Sequence, residues 1–173
     1  MRRSRKGILE RAVLGQRFGS LSKVLVCSYS LCINFFIPKG LYSMEGDICD
    51  LPGIIALKRK YKFYLYVDEA HSIGALGPTG RGVCEHWGVN PSDVEILMGT
   101  FTKSFGSIGG YVASSREMVA HLRMNAYASV YAETMAPALC QQIISALTIV
   151  MGEDGTDEGT PNWFFYFIFY FDV

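Results

Sequence analysis

Two short, mostly apolar runs in the middle of the chain predict buried strands. Residues 63–67 and residues 94–98 are each bounded by polar or glycine-containing segments, and runs of this length are typical of strands rather than helices. Thirty-five positions separate Asp68, which follows the first run, from Lys103, which follows the second. This separation leaves room for a crossover connection between two strands of one sheet.

Helical patterns flank these runs. Asp50, Leu51 and Pro52 predict a helix start, with a capping carboxylate and a proline in the first turn, and residues 54–60 continue it. A short helix is expected near residues 83–87, and longer ones over residues 115–126 and 137–151. Strands and helices in this arrangement predict an α/β fold with a mostly parallel sheet flanked by helices. The side chains expected to face the core in the two longer helices are Met118, Val119, Leu122, Ala126, Leu139, Ile143, Leu147 and Val150.

Glycines mark two irregular segments. Gly74, Gly77, Gly80 and Gly82 predict a loop, and no Gly-Lys-Ser or Gly-Lys-Thr sequence follows them, so a structural turn is favoured over a phosphate-binding loop. The second segment is Gly99-Thr-Phe-Thr-Lys-Ser-Phe-Gly-Ser-Ile-Gly-Gly110, whose glycines allow a ligand or the backbone to approach closely.

Chemically reactive side chains follow both predicted strands. Asp68 and His71 come directly after the first strand, and Lys103 comes just after the second. Ligands of open α/β sheets bind at the carboxyl ends of the strands, so a carboxylate, an imidazole and an amine are expected to converge there without a metal. The residues alone leave open whether Lys103 is a site lysine and whether Asp68 is catalytic or only caps its strand.

The composition is that of a globular domain without a marked charge preference. Half of the 173 residues are hydrophobic, 18% are charged, and 16 basic residues balance 16 acidic ones. This balance gives no support for a nucleic-acid partner. The five cysteines show neither CxxC pairing nor regular spacing, so they are expected to be reduced and mostly buried.

The two ends of the chain differ in character from its middle. Residues 1–23 carry seven basic side chains and one acidic side chain, and residues 24–37 are mostly apolar. A mitochondrial leader, a signal or membrane anchor, and a sheet strand with a solvated start are all compatible with this pattern, although fourteen residues are fewer than the roughly twenty that cross a bilayer as a helix. Residues 163–171 form an aromatic run that must be paired or buried, or else reflects an altered reading of the gene.

Four motifs resemble one enzyme family. They are Tyr42-Ser-Met-Glu-Gly46, Val67-Asp-Glu-Ala-His-Ser-Ile-Gly74, Gly77-Pro-Thr-Gly-Arg-Gly82 and Gly99-Thr-Phe-Thr-Lys-Ser-Phe-Gly106. Together they resemble the α-oxoamine synthases, which are pyridoxal-phosphate (PLP) enzymes of fold type I. The resemblance covers residues 41–159 and implies part of the PLP-binding large domain, preceded by an atypical segment (residues 1–40) and followed by an atypical aromatic tail (residues 160–173).

The resemblance implies roles for five residues. Lys103 would form a Schiff base with the cofactor aldehyde, and Asp68 would keep the ring nitrogen protonated. His71 matches the residue hydrogen-bonded to the phenolic oxygen of the ring. Thr100 matches a residue that contacts the phosphate, and Ser43 matches one that touches the cofactor. Lys103, His71 and Asp68 are the catalytic candidates, and no metal is implied.

The implied reaction is that of the sphingolipid branch of this family. The chain resembles the catalytic long-chain-base subunits of that branch. These PLP-dependent acyltransferases condense L-serine with a long-chain acyl-CoA, palmitoyl-CoA, to give 3-ketosphinganine. The resemblance also implies a heteromer with a second long-chain-base subunit at the cytosolic face of the endoplasmic reticulum membrane, with mitochondria as the alternative location. Thr102, Ser104, Phe101 and Phe105 around Lys103 look more like this branch than like the sibling synthases that make aminolevulinate or aminoketobutyrate.

Some features depart from the family pattern. Ile108 replaces a small or polar residue, and Glu133 stands where a threonine or serine often reaches the phosphate of a neighbouring subunit. A carboxylate there should repel the phosphate, although Thr134 could substitute. The ring-stacking residue, the glycine-containing phosphate-contacting loop and the arginine that holds the substrate carboxylate have no match in the chain. We therefore expect the chain alone to bind PLP weakly and not to turn over.

Two further functions are compatible with parts of the sequence. A truncated subunit could act as a non-catalytic assembly partner, although retention of Asp68, His71 and Lys103 argues against long-decayed catalysis. Asp68-Glu-Ala-His71 is also a helicase signature, but the chain lacks the lysine loop and the Ser-Ala-Thr motif that accompany it in helicases. No nucleic-acid partner is expected.

Overall fold

The structure, a computed structural model, describes residues 35–153 and Gly155. Predictions made for residues 1–34 and for the aromatic tail lie outside the described residues. The strands of the described part are β1 (Phe35–Phe36), β2 (Leu41–Tyr42), β3 (Asp47–Ile48), β4 (Tyr64–Asp68), β5 (Ile96–Thr100) and β6 (Gly110–Ser114). Its helices are α1 (Leu51–Tyr61), α2 (Val83–Trp87), α3 (Arg116–Asn125), α4 (Tyr127–Tyr131) and α5 (Pro137–Val150), with a 3-10 helix at Pro91–Asp93.

The main sheet is mostly parallel, as predicted. Its strand order is β1-β4-β5-β6, in which β1 and β4 pair parallel, β4 and β5 pair parallel, and β5 and β6 pair antiparallel. Strands β2 and β3 form a separate antiparallel hairpin. An isolated parallel bridge between Lys39 and Asp68 continues the line of β1 beside the end of β4.

The two predicted central strands are confirmed with shifted bounds. Strand β4 begins and ends one residue later than predicted, and β5 begins and ends two residues later. Asp68 and Thr100 are therefore the last residues of their strands. The later start of β5 has a local cause, because the Val94 N–H donates to the Pro91 carbonyl at 3.1 Å and closes the 3-10 helix. The connection from β4 to β5 contains α2 and the 3-10 helix, which confirms the predicted crossover.

The helix starts follow the predicted capping chemistry. The Asp50 carboxylate accepts the Gly53 N–H at 3.0 Å at the start of α1, and the Ser115 hydroxyl accepts the Met118 N–H at 3.3 Å at the start of α3. Each bond satisfies one of the N–H groups that a helix start leaves without an intrahelical partner. Helix α4 is an element that the sequence pattern did not predict.

The core lies between β4, β1 and helices α1 and α2. Leu65 and Val67 of β4 are fully buried, and Phe36 of β1 contacts Phe63 edge to face with ring centroids 5.7 Å apart. The buried side chains that α1 and α2 add to this cluster are Leu51, Ile54, Ile55, Val83 and Cys84. Because the apolar residues of β4 alternate with less buried ones, one face of this strand supplies the core and the other faces the candidate site.

Burial in the last helices differs from the prediction. Met118, Val119 and Leu122 face inward as expected but are only half-buried, and α3 contains no buried residue. In α5, Ile143 alone is buried. The helical periodicity is therefore confirmed, whereas the expected depth of burial is not reached in the described part of the chain.

Cysteine burial agrees with the prediction where the structure describes it. Cys49 and Cys84 are buried free thiols and Cys140 is half-buried. Burial, with a smaller contribution from the charge of Glu69, raises the pKa of Cys49 and of Cys84 to about 12. Both thiols therefore stay protonated and unreactive at neutral pH. Among the helices that the structure describes, none is long and apolar enough to cross a membrane.

Candidate active site

The candidate site lies at the carboxyl ends of β4 and β5, which are neighbouring parallel strands. Asp68 pairs in register with Met98, so Thr100 lies two residues further along β5 on the same face as Asp68. Asp68 and Thr100 are both half-buried. The chain order therefore brings the segments after both strands to one edge of the sheet, as the sequence predicted.

The backbone around Asp68 is held on both sides. Its N–H donates to the Pro38 carbonyl at 2.9 Å, and its carbonyl accepts the Gly40 N–H at 2.8 Å. The side-chain Oδ1 accepts the N–H of Ala70 at 2.9 Å. One carboxylate oxygen thus caps the turn that follows β4.

His71 lies in the turn that follows β4, which we call the acidic turn (residues 68–73). The Glu69 carbonyl accepts the N–H groups of Ser72 at 3.0 Å and Ile73 at 2.9 Å, so the backbone closes a tight turn around His71. The His71 side chain is half-buried. The turn fixes the backbone position from which Asp68 and His71 extend.

Lys103 lies in the loop between β5 and β6, which we call the lysine loop (residues 101–109). Its side chain is half-buried and makes no ion pair with a described residue. The Ser104 hydroxyl donates to the Ile73 carbonyl at 2.9 Å, which joins the lysine loop directly to the acidic turn. This bond brings the loop of Lys103 beside the turn of His71, a contact that the sequence did not predict.

Thr100 takes part in a local hydroxyl network. Its Oγ1 lies 2.8 Å from Thr102 Oγ1, donates to the Gly109 carbonyl at 3.0 Å and accepts the Thr102 N–H at 3.2 Å. The network ties both ends of the lysine loop together. Thr102 is exposed whereas Thr100 is half-buried, so the Thr102 hydroxyl is at least as accessible to a ligand as the Thr100 hydroxyl.

Ser43 is the most peripheral of the predicted site residues. It is exposed and lies in the turn between β2 and β3, three residues after Gly40, whose N–H bonds to Asp68. The structure therefore brings Asp68, His71, Thr100 and Lys103 to two adjoining segments and leaves Ser43 on a neighbouring hairpin.

Two residues near the site were missed by sequence reasoning. Tyr111 lies opposite Gly99 in the β5–β6 pair, and a Cβ at Gly99 would lie 2.5 Å from Tyr111 Cζ, so a side chain at position 99 would require the Tyr111 ring to move. Burial, with a contribution from Glu69, raises the pKa of Tyr111 to about 12. Glu69 itself is 2% exposed. Its place in the Asp-Glu-Ala-His motif was visible in the sequence, but nothing there showed which face of the sheet it would occupy.

The two residues that depart from the family pattern are both exposed. Ile108 in the lysine loop is 65% exposed, and Glu133 lies on the segment between α4 and α5. Among the described residues, no group of three or more His, Cys, Asp or Glu side chains could hold a metal ion.

The fold and the site define an α/β protein with a lysine, a carboxylate and an imidazole at adjacent parallel strand ends. The chain belongs to the aminotransferase class I and II family, whose model matches residues 29–153.

Within this class the chain is similar to serine palmitoyltransferases. It is 60% identical over 126 residues to "Serine palmitoyltransferase 2" of Caenorhabditis elegans, covering 73% of this chain and 23% of that protein. It is 57% identical over 126 residues to the Dictyostelium discoideum protein of the same name, covering 73% and 26%. The solved structure of "SPT with PLP internal aldimine" matches with a TM-score of 0.65 and 30% identity, over 73% of this chain and 32% of that one. The chain thus spans about a quarter of the length of these curated relatives.

Proposed function

We propose that this chain is the cofactor-binding part of a PLP-dependent acyltransferase that condenses L-serine with a long-chain acyl-CoA to 3-ketosphinganine. Its similarity to proteins named serine palmitoyltransferase supports the reaction. Because the chain spans 26% or less of those proteins, the complete activity is proposed for the whole enzyme to which this segment corresponds. The structural observation that supports the proposal most is the bond from Ser104 to the Ile73 carbonyl, which puts the lysine loop beside the acidic turn.

The residues at the strand ends fit PLP by the chemistry of their donors and acceptors. PLP presents an aldehyde, a ring nitrogen, a phenolic oxygen and a phosphate, and it supplies an electron-withdrawing ring when bound. Lys103 offers the amine for the aldehyde carbon. Asp68 offers its second carboxylate oxygen, Oδ2, for the ring N–H, since Oδ1 accepts the Ala70 N–H. His71 offers an imidazole for the phenolic oxygen.

Each catalytic candidate has a defined task in this proposal. The Asp68 carboxylate holds the proton on the ring nitrogen by a charge-assisted hydrogen bond. The Lys103 amine would hold the cofactor aldehyde, and as a free amine it could take and return a proton at the substrate α-carbon. His71 would orient the cofactor ring by a hydrogen bond to the phenolic oxygen of that ring. All three act from segments that the main sheet positions.

The phosphate contact involves the hydroxyl network of the lysine loop. Thr100 is the predicted contact, but its hydroxyl donates to the Gly109 carbonyl. A phosphate bound there would compete for that proton, whereas the exposed Thr102 hydroxyl, 2.8 Å away, is placed to share the contact. We propose that the pair acts together, with Ser43 as a peripheral contact from the hairpin. Exposed Glu133 disfavours a phosphate nearby, which supports the expectation of weak PLP binding by this chain alone.

We also propose the wider assignments made from the resemblance. These are a cofactor-binding segment over residues 41–159, assembly with a second long-chain-base subunit, and action at the cytosolic face of the endoplasmic reticulum membrane. Exposed Met124, Tyr127 and Tyr131 are compatible with a subunit contact. The native mass of the chain mixed with a candidate partner subunit tests the assembly, and a chain that stays monomeric in that mixture contradicts it.

PLP titration tests the cofactor assignment. The affinity of the 173-residue chain for PLP is measured by absorbance and tryptophan quenching, for the original chain and for Lys103→Ala, Asp68→Asn and Lys60→Ala. Lys60 is an exposed lysine of α1, so its variant controls for loss of one positive charge. We expect Lys103→Ala to abolish the visible absorbance and Asp68→Asn to weaken binding about tenfold, the loss of one charge-assisted hydrogen bond. Equal affinity of all four chains would contradict the proposal.

A further inference from the structure

A buried carboxyl belongs to the acidic turn itself, at Glu69, between Asp68 and His71. Glu69 is 2% exposed, and its Oε1 accepts the Val83 N–H at 3.2 Å in the first turn of α2. The Glu69 side chain also packs against Gly82, where a Cβ would overlap the carboxylate and where φ is +89°. A side chain at position 82 would therefore displace Glu69, so both residues are fitted to this contact.

The same residue is bonded through its backbone to the two segments that form the site. Its N–H donates to the Met98 carbonyl of β5 at 2.7 Å, and its carbonyl accepts the N–H groups of Ser72 and Ile73. With the bond to Val83, Glu69 connects β5, the acidic turn and α2. It stands between Asp68 and His71 in the chain, so a change in its position must change theirs.

The Glu69 carboxyl is buried beside the apolar core. Burial raises its pKa from the ordinary 4.5 to about 7, although hydrogen bonds from the Val83 and Cys84 backbone counteract part of this increase. Within the described residues it makes no ion pair. The titratable groups on the elements around it, and next to it in its own turn, are Cys49, Cys84, Tyr111, Asp68 and His71. A carboxyl kept in such surroundings without a cation needs a reason other than charge pairing.

We propose that Glu69 is a positioning residue for the cofactor site, which anchors the acidic turn to the first turn of α2 and thereby orients Asp68 and His71. It acts indirectly, because its side chain is long enough to accept the Val83 N–H. The inference rests on the proposed function for the identity of the ligand, but the anchoring of the turn is a property of this chain without any ligand.

Variants at position 69 separate reach from charge. Glu69→Gln keeps the length of the side chain and an acceptor oxygen for Val83 but loses the charge, whereas Glu69→Asp keeps the charge but withdraws the oxygen by one methylene. Glu69→Ala loses both. Glu85→Ala is the matched control, because the Glu85 carboxylate also accepts nearby backbone N–H groups, those of Thr79 and Arg81, but has no bond to the acidic turn.

Hydrogen exchange of the ligand-free 173-residue chain, followed by mass spectrometry, measures the anchoring. We expect Glu69→Asp and Glu69→Ala to speed exchange on the order of tenfold in peptides covering residues 70–76, because the acidic turn loses its bond to the Val83 N–H and opens more often. Glu69→Gln should restore protection, and Glu85→Ala should change only residues 77–82. Peptides from α1 should not change in any variant. If Glu69→Ala does not fold, the Asp and Gln variants decide the question by themselves.

PLP affinity of the same variants shows whether the anchoring serves the site. Glu69→Asp is expected to bind PLP about tenfold more weakly than Glu69→Gln, because its shorter side chain no longer anchors the acidic turn. Uniformly faster exchange along the chain, unchanged exchange in residues 70–76, or equal PLP affinity of the Asp and Gln variants would each overturn the proposal. Absence of PLP binding by the original chain would overturn the proposed function and with it the role of Glu69 at a cofactor site, while the exchange data would still decide whether Glu69 anchors the turn.

Discussion

The two halves of the described chain form regular elements equally well but bury them very differently. Every member of the main buried cluster lies in the N-terminal half (residues 35–100), between Phe36 and Val94. In the C-terminal half (residues 101–153), α3 has no buried residue and α5 has one. Large apolar side chains there remain exposed, including Met124 at 78% and Ile144 at 55%.

This difference shows that the local interactions that define a helix are distinct from the packing contacts that bury it. Helices α1 and α3 both begin with a capping side chain that accepts an N–H of the first turn. Only α1 also packs apolar residues into the main cluster. Local hydrogen bonding and periodicity therefore suffice to define both helices, whereas burial depends on partners distant in the sequence. The candidate site spans the boundary between the halves, with Asp68 and His71 in the first and Lys103 in the second.

Among the variants that test this difference between the halves, Leu65→Ala is expected to change the free energy of unfolding most. Leu65 is fully buried at the centre of the cluster, so removing its side chain leaves a cavity and should lower the free energy of unfolding by about 2–5 kcal/mol. The control is Ile144→Ala in α5, which is 55% exposed and should lower it by less than about 1 kcal/mol. Urea unfolding of both variants measures the difference. Equal losses would contradict the division into a buried and an uncovered half.

The next effect concerns pH and the buried Glu69. Its folded-state pKa is raised from 4.5 to about 7, so its protonated form favours the folded state. This contribution is fully present below pH 4.5 and is lost as the pH rises through 7. The stability of the original chain minus that of Glu69→Gln should therefore decrease by at most roughly 3 kcal/mol between pH 4.5 and pH 8. Urea unfolding over this pH range measures it, and a difference that is constant or increases with pH would contradict the burial of the carboxyl.

The smallest effect compares the two helix caps. Asp50→Ala and Ser115→Ala each remove a side-chain acceptor at a helix start, at a cost of about 1 kcal/mol. Because α1 is part of the buried cluster, we expect Asp50→Ala to lower the global free energy of unfolding. Ser115→Ala should instead increase hydrogen exchange only within α3. If Ser115→Ala lowers global stability as much as Asp50→Ala, α3 is better integrated than its burial indicates.

The sequence predicted most of the elements because their signals are local. The start of α1 at Asp50 and Pro52, the strand before Asp68 and the periodicity of α5 can each be recognised within a few residues. The boundaries of β5 could not be predicted as well, since they depend on the Val94 bond that closes the preceding 3-10 helix. Burial of α3 was overestimated because an amphipathic pattern does not show whether a partner covers it.

The candidate site could be predicted only as a set of residues. The order of strands and reactive side chains predicted one sheet edge, and the parallel pairing of β4 with β5 confirms that their carboxyl ends lie together. The Ser104 contact with Ile73 and the buried position of Glu69 depend on how the two connecting segments pack, which no sequence spacing specifies. The roles assigned to Lys103, Asp68, His71, Thr100 and Ser43 stay predictions.

The covalent attachment point of PLP tests the central claim most directly. The 173-residue chain is incubated with PLP, reduced with borohydride, digested and mapped by mass spectrometry. The account predicts a pyridoxyl group on Lys103 at higher occupancy than on any other lysine, and loss of this enrichment in Asp68→Asn. Labelling spread evenly over exposed lysines such as Lys39, Lys60 and Lys62, with Lys103 no more modified than they are, would contradict it.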